Sequence, residues 1–367
     1  MRRLLLLSIL AAAPALAQDG SAGMLWNGFG YEWQEHPHRL SILSTRFVTD
    51  DVDRWTGNLE GHHEFEVQIG NFPPDSADYW SACQVARSAV ARFSTHRVGP
   101  IVLTSRIGRP AEGKVEVVLE PAALGLAGPP GNLRAEVVLA GFTVRRGVVH
   151  GQDSGWHFQG LGLGVGRATF DSDGRLRFEA NAFVHPANSP DPFNGFDYLG
   201  DWNPDWGDCK YQIWIDCAIL VAPRSAMVGR EVVVSNRSSA PTTAETFSDD
   251  VVVTGASKFP DNHALLGMTG FRFEIDGPNT QQDGRYIRAL QAYADRFSYD
   301  PDTRKARFRV AHSFSNEGTI AYKWTLESES RHRLIEIRDR DFESRWKSVR
   351  GNLDNGTTEE TEILFGS

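Results

Sequence analysis

Apolar and polar residues alternate in short stretches along most of the chain, and Gly, Pro, Asn or Asp residues separate these stretches. A period of two residues is typical of β-strands that bury one face. The frequent turn-forming residues indicate a sandwich or barrel and not βαβ units. The pattern therefore predicts an all-β fold with strands at 115–119, 135–144, 211–221, 231–234, 251–254, 271–275 and 334–337.

One stretch has a different period. Tyr79, Cys83, Ala86, Val90 and Phe93 follow one another at steps of three or four residues. This spacing is typical of an amphipathic helix, because it places apolar side chains on one helical face. We therefore predict one short helix near residues 77–93, with a strand over residues 89–94 as the alternative.

An internal repeat organises the chain. Without gaps, residues 141–175 align with residues 270–304 at an offset of 129, and nine of the 35 aligned pairs are identical. Both copies contain a predicted hairpin with aspartates at its tip, Asp171 and Asp173 in one copy and Asp300 and Asp302 in the other. Asp at such a tip accepts hydrogen bonds from neighbouring backbone amides, and we prefer this interpretation to paired catalytic carboxylates.

The region of residues 38–69 resembles these two copies when gaps are allowed, and we interpret it as a more divergent third copy. Domains commonly have the length of one such repeat. We therefore predict two or three repeated β-sandwich modules of jelly-roll-like type. Their expected ranges are 18–116, 117–245 with an Asp/Trp-rich insertion, and 246–367.

The N-terminus has the features of an export signal. Arg2 and Arg3 precede an apolar stretch, and Ala15-Leu16-Ala17 supplies the small residues of a cleavage site. We expect residues 1–17 to be removed and the mature chain to be secreted or periplasmic. No later stretch approaches the roughly 20 apolar residues of a membrane span. The 47 acidic and 38 basic residues give a net charge of −9, which predicts no nucleic-acid partner.

Export permits disulfides, and the chain has three cysteines. If one bridge forms, the sequence favours Cys83 with Cys209 or Cys217. The alternatives are a local bridge between Cys209 and Cys217, or no bridge. The local bridge requires a bent segment, because seven residues of strand-like pattern separate the two cysteines.

The densest acidic and aromatic segment extends from Tyr198 to Trp214. Asp201, Asn203 and Asp205 stand at alternate positions, which is how a loop directs oxygen ligands to calcium. The glycine and the twelfth residue do not fit an EF-hand, so the pattern of a calcium site is incomplete.

The same segment offers a surface for sugar. Aromatic rings can stack on the apolar face of a sugar while nearby carboxylates bind its hydroxyl groups. The alternative is that the rings cover a sandwich core and that the aspartates form turns. The residues that we single out as ligand-binding candidates are Tyr198, Asp201, Trp202, Asp205, Trp206 and Trp214.

Histidines form a second candidate cluster. His36 and His38 lie two residues apart, and His62 and His63 follow near two glutamates. Three imidazoles and a carboxylate on adjacent strands would suit zinc or copper. A solvated turn around Pro37 is the alternative interpretation.

No nucleophile elbow, zinc-protease helix motif or phosphate-binding loop occurs. The glycines between Gly160 and Gly166 lack the context of a dinucleotide loop, and we interpret them as a closely approached strand.

We expect an exported non-catalytic protein that binds carbohydrate, with a polysaccharide or cell-surface glycan as partner. The alternatives are a secreted hydrolase acting on polysaccharide, and a self-assembling coat or adhesin-like protein. The catalytic residues of such a hydrolase are unknown.

Overall fold

The computed structural model describes most of the chain in thirteen separate ranges. They are residues 21–33, 42–52, 59–66, 77–106, 109–126, 131–147, 158–186, 208–238, 244–256, 262–276, 286–317, 325–353 and 359–363. Within these ranges the protein is all-β, as the sequence predicts.

Antiparallel strands account for nearly all of this structure, together with one short 3₁₀ turn at Pro121–Leu124. In chain order the strands are β1 (Ser21–Trp33), β2 (Ile42–Val52), β3 (Leu59–Glu66), β4 (Ala77–Ser88), β5 (Arg92–Arg106), β6 (Ala111–Leu119), β7 (Leu133–Gly147), β8 (Phe158–Val165), β9 (Thr169–Phe170), β10 (Leu176–Pro186), β11 (Asp208–Pro223), β12 (Met227–Ser238), β13 (Ala244–Thr254), β14 (Asn262–Asp276), β15 (Tyr286–Asp300), β16 (Lys305–Glu317), β17 (Thr325–Arg338), β18 (Glu343–Leu353) and β19 (Glu359–Ile363).

Three sheets contain these strands. Sheet I has the order β18-β4-β1-β15-β16-β13, and sheet II has the order β12-β17-β14-β8-β10-β6 with β9 paired to β10. Sheet III has the order β5-β11-β7-β2-β3-β19. All seven strands that the alternating pattern predicts are present.

The predicted helix near residues 77–93 is wrong. This segment forms β4 and the start of β5, and residues 89–91 lie between the two strands. Strand β4 lies between β1 and β18, and consecutive residues Ala82, Cys83 and Gln84 are all buried. A strand that is buried on both faces does not alternate between apolar and polar residues, so its period does not distinguish it from a helix.

The internal repeat matches the strands. Strand β7 spans residues 133–147 and β14 spans residues 262–276, which is the offset of 129 found in the sequence. The predicted hairpin tips are also present: β9 pairs with β10 around Asp171, and β15 pairs with β16 around Asp300.

The connectivity defines three equivalent units of six strands. Unit 1 is β19 with β1–β5, unit 2 is β6–β8 with β10–β12, and unit 3 is β13–β18. Every sheet takes the first, third, fourth and sixth strands of one unit and the second and fifth strands of the following unit. The C-terminal strand β19 thus completes a unit that begins at the N-terminus.

This exchange of strands between units bears on the predicted sandwich modules. No described sheet is confined to one of the segments 18–116, 117–245 and 246–367, because each sheet combines strands from at least two of them. The repeated sandwich is therefore not confirmed, although the all-β class is. The domain boundaries stay a prediction.

The second strands of the three units meet in the central core. Each carries the same short motif, a bulged residue followed by Gly and Phe: Asn27-Gly28-Phe29, Ala140-Gly141-Phe142 and Thr269-Gly270-Phe271. The three phenylalanine rings contact one another, with centroid distances of 5.4 Å from Phe29 to Phe142, 4.7 Å from Phe29 to Phe271 and 5.5 Å from Phe142 to Phe271. The repeated motif thus forms an aromatic centre that joins all three sheets.

Candidate functional site

The outer face of sheet II contains a groove whose floor is formed by glycines. Along β8, Leu161, Leu163 and Val165 enter the central core, so the intervening Gly162 and Gly164 lie on the opposite face. Gly270 of the neighbouring strand β14 continues this floor. The walls carry polar and charged side chains and one aromatic ring, from Glu112, Lys114, Glu179, Asn181, Phe183, Arg272, Glu329 and Arg331.

The pseudo-equivalence of the three units explains why the groove forms here. Gly164 pairs with Asn181 on one side and with Gly270 of the Gly-Phe motif on the other. The equivalent residue in sheet I is Tyr293, which pairs with Gly28 of the same motif, and Arg309 lies 6.0 Å from the centroid of its ring. In sheet III the equivalent residue is Arg46, which pairs with Gly141. Sheet II alone among the three has no side chain at this position.

The neighbouring strands approach these glycines closely. A Cβ atom on Gly162 would lie 3.0 Å from the carbonyl oxygen of Phe271, and one on Gly164 would lie 3.0 Å from Oδ1 of Asn181. The interpretation of this glycine series as a closely approached strand is therefore confirmed. At Gly164 the nearest atom belongs to a side chain, so this position accepts a substitution more readily than Gly162.

Ion pairs connect the charged residues of the walls. Lys114 Nζ lies 2.9 Å from Glu179 Oε2, and Arg331 Nε donates a hydrogen bond of 2.6 Å to Glu329 Oε1. The guanidinium group of Arg272 bridges two carboxylates, at 2.7 Å from Glu112 and 3.0 Å from Glu274. The hydrogen bond to Glu179 raises the pKa of Lys114.

A chain of buried polar groups extends from one wall. The guanidinium carbon of Arg272 lies 3.7 Å from the ring centroid of Phe183, and Oε1 of Glu274 lies 3.1 Å from Nδ1 of His185. Nε2 of His185 lies 2.6 Å from Nε2 of Gln159. Burial raises the pKa of Glu274, but hydrogen bonds from His185 and Arg272 outweigh this effect and hold the pKa below its usual range. These contacts fix Arg272 and Phe183 in the wall of the groove.

Most of the predicted ligand-binding segment lies outside the described residues, including Tyr198, Asp201, Trp202, Asn203, Asp205 and Trp206. Trp214 is described and lies in β11 of sheet III, with the guanidinium carbon of Arg97 5.7 Å from its ring centroid. The structure therefore places Trp214 on a different sheet from the groove.

The histidine cluster is only partly described. His36 and His38 lie outside the described residues, whereas His62 and His63 belong to β3. There the two residues pair with Val48 and Phe47 of β2 and with Glu360 and Glu359 of β19. In the part of the chain that the structure describes, no group of three His, Cys, Asp or Glu side chains is placed to hold a metal ion.

No disulfide is seen among the described residues, so neither the favoured bridge from Cys83 nor the local bridge between Cys209 and Cys217 is supported. Cys83 lies in β4 of sheet I and Cys217 lies in β11 of sheet III, and both thiols are buried and outside any disulfide. Cys209 and Cys217 lie eight residues apart in one continuous strand. The extended backbone therefore holds the two residues too far apart for a disulfide. Burial raises the pKa of the Cys217 thiol, so it stays protonated.

Two of the four aspartates at the hairpin tips, Asp171 and Asp300, have the predicted structural role. Asp171 accepts hydrogen bonds from the backbone amides of Asp173 and Arg175, each 2.9 Å long. Asp300 accepts equivalent bonds from the amides of Asp302 and Thr303. A hydrogen bond from Arg177 lowers the pKa of Asp171 to about 2.

Comparisons with known proteins identify no relatives. No family model matches the chain, and no curated protein matches it. Among solved structures, the mutant of the TodX monoaromatic hydrocarbon channel aligns over 88% of this chain and 91% of that chain at 11% identity. Its TM-score is 0.10, which carries no argument about fold or function. Among the described residues no helix is long and apolar enough to span a membrane.

Proposed function

We propose that the mature protein is an exported, non-catalytic carbohydrate-binding protein and that the groove of sheet II is its binding site. The observation that carries this proposal is the asymmetry of the repeat. Three equivalent positions hold Gly164, Tyr293 and Arg46, and a groove is open at the glycine. A change in one copy of a repeated scaffold is where a binding site is commonly placed.

The chemistry of the walls supports a sugar. Sugar hydroxyl groups both donate and accept hydrogen bonds, and the walls offer carboxylate acceptors together with guanidinium, ammonium and amide donors. The glycine floor allows a flat ring to approach the backbone. The ion pairs also hold these donors and acceptors in place before a ligand binds, which lowers the entropic cost of binding.

The sequence adds the segment from Tyr198 to Trp214 to this proposal. Strand β10 carries Asn181 and Phe183 of the groove wall and ends at Pro186, so the segment follows that wall in the chain. Stacking of Trp202 and Trp206 on sugar, and calcium binding by Asp201, Asn203 and Asp205, remain proposals.

The test fills the groove with the residues that sheet I has at the equivalent positions. In the double variant Gly164→Tyr/Asn181→Ala, a tyrosine faces an alanine, as Tyr293 faces Ala311 in sheet I. We expect retention of the mature protein on a panel of immobilised polysaccharides to fall by about tenfold or more, equivalent to about 1.4 kcal/mol. The control Tyr293→Gly opens the equivalent position of sheet I and should leave retention unchanged.

Two further measurements keep this test decisive. Arg331→Ala, which changes an exposed residue of the wall, replaces the double variant in this test if circular dichroism shows that the double variant does not fold. Reducing ends are assayed in parallel, since a hydrolase releases them and a binding protein does not. Full retention by a folded double variant would contradict the proposed site, and release of reducing ends would favour the hydrolase.

A further inference from the structure

Ten of the residues that line the groove lie in two rows across sheet II. One row is Lys114, Asn181, Gly164, Gly270 and Arg331, in which each residue pairs with the next across neighbouring strands. The second row, two residues further along each strand, is Glu112, Phe183, Gly162, Arg272 and Glu329.

These rows give the groove an elongated shape. Each row crosses five strands, and neighbouring strands lie about 4.8 Å apart, so its span is roughly 19 Å. The separation of the rows along the strands is two residues, or roughly 7 Å. The glycines lie in the middle, and each end has one cation and one carboxylate, Lys114 with Glu112 and Arg331 with Glu329. A ligand that contacts both ends must be long and narrow.

The charges are balanced within the groove. Lys114 is paired with Glu179, Arg331 with Glu329, and Arg272 with both Glu112 and Glu274. Each of these cations already has a carboxylate partner, so a negatively charged ligand would have to displace a carboxylate or lie close to one. An uncharged ligand can use the outward-facing donors and acceptors without breaking these pairs.

From this shape and charge we infer that the groove binds a linear, uncharged glycan chain that lies across the strands and reaches from Lys114 to Arg331. This inference rests on the proposed function, and it names the class of ligand. A single sugar would contact only the glycine floor, and an acidic glycan would meet the carboxylates of Glu112, Glu179 and Glu329.

The experiment measures the affinity of the mature protein for oligosaccharides of increasing length by isothermal titration calorimetry. The uncharged probes are linear oligomers of glucose, xylose, mannose and N-acetylglucosamine with one to six units, and the acidic probes are oligogalacturonates of the same lengths. We expect the affinity for one uncharged series to rise about tenfold or more from one unit to four and then to level off. The oligogalacturonates should bind about tenfold more weakly than uncharged oligomers of equal length.

A variant at one end of the groove provides a matched control. Glu329→Gln/Arg331→Gln removes both charges at the β17 end and should reduce the gain in affinity from two units to four. Equal affinity for one sugar unit and for six would overturn the inference that the ligand is a linear chain. Tighter, salt-sensitive binding of oligogalacturonates would overturn the inference that the ligand is uncharged. If no series binds, the carbohydrate proposal itself fails together with this inference.

Discussion

Two histidines and two serines form a polar network that links β16 of sheet I with β17 of sheet II. His312 contacts Ser328 at 3.0 Å through Nδ1 and Ser330 at 2.8 Å through Nε2, and Ser330 also contacts His332 at 2.9 Å. Both imidazoles are buried. Burial lowers the pKa of His312 to about 4, and burial together with the nearby His312 lowers the pKa of His332 to about 3.

This network predicts a loss of stability in mild acid. In the unfolded chain both histidines take up a proton near pH 6.5, whereas in the folded protein they stay neutral until about pH 4. The free energy of unfolding should therefore fall as pH decreases from 6.5 towards 4, by about 1.4 kcal/mol per pH unit for each histidine. Urea denaturation at a series of pH values from 7 to 5 measures this slope.

Substitutions separate the effect of titration from the effect of packing. His312→Gln should remove the contribution of His312, about 1.4 kcal/mol per pH unit, from the slope, whatever it does to the stability at pH 7. Ser328→Ala removes a hydrogen bond but no titrating group, so it should lower stability by a similar amount throughout this range. A slope that is unchanged in His312→Gln would show that other groups cause the acid sensitivity.

At the scale of elements, the Gly-Phe motif requires glycine for a steric reason. Gly28 has a φ angle of 149°, and a Cβ atom there would lie 2.3 Å from the carbonyl oxygen of Ala292 and from Cα of Tyr293. Since the clash is with backbone, rotation of a side chain cannot relieve it. Gly28→Ala should reduce the free energy of unfolding by about 2 kcal/mol or more in denaturant titrations.

Gly166 is the matched control for this substitution. It follows β8 directly, and its nearest contact for an added Cβ atom is at 3.4 Å, an ordinary van der Waals distance. Gly166→Ala should change the stability by no more than about 0.5 kcal/mol. Similar losses in the two variants would mean that close packing of β1 against β15 does not explain the glycine.

Several elements could be predicted because local chemistry determines them. The tips at Asp171 and Asp300 form hydrogen bonds to amides within four residues, so neighbouring residues are sufficient to predict them. Strand β4 could not be predicted in this way, because its lack of alternation results from partners on both of its faces. The groove could be predicted only in part. Gly164 aligns with Tyr293 in the repeat, so the difference between the two copies is visible in the sequence. Only the strand register shows that this difference leaves an open floor.

At the scale of the whole molecule, the repeat could be predicted and the exchange of strands could not. Similarity between two segments shows that they adopt similar strands, but it carries no information on which copy a strand pairs with. The third copy does not lie where the sequence predicts it, at residues 38–69, because in unit 1 the strand equivalent to β7 and β14 is β1. The first strand of unit 1 is β19, at the opposite end of the chain from β1–β5, so a continuous alignment does not include the complete unit.

The exchange of strands predicts that the protein unfolds as one unit. Unit 2, residues 111–238, supplies β7 and β11 to sheet III, where they pair with β2 and β5, and its strands β8 and β12 pair with β14 and β17 of unit 3. A fragment of these residues would leave β12 without a partner and would leave β7, β8 and β11 each with one unpaired edge, and it would expose much of the central core to water. We expect this fragment to show no cooperative thermal transition by circular dichroism, whereas calorimetry of residues 18–367 should show one transition. Three independent sandwiches would behave differently, because the fragment would then melt cooperatively, and such a result would contradict the exchanged arrangement.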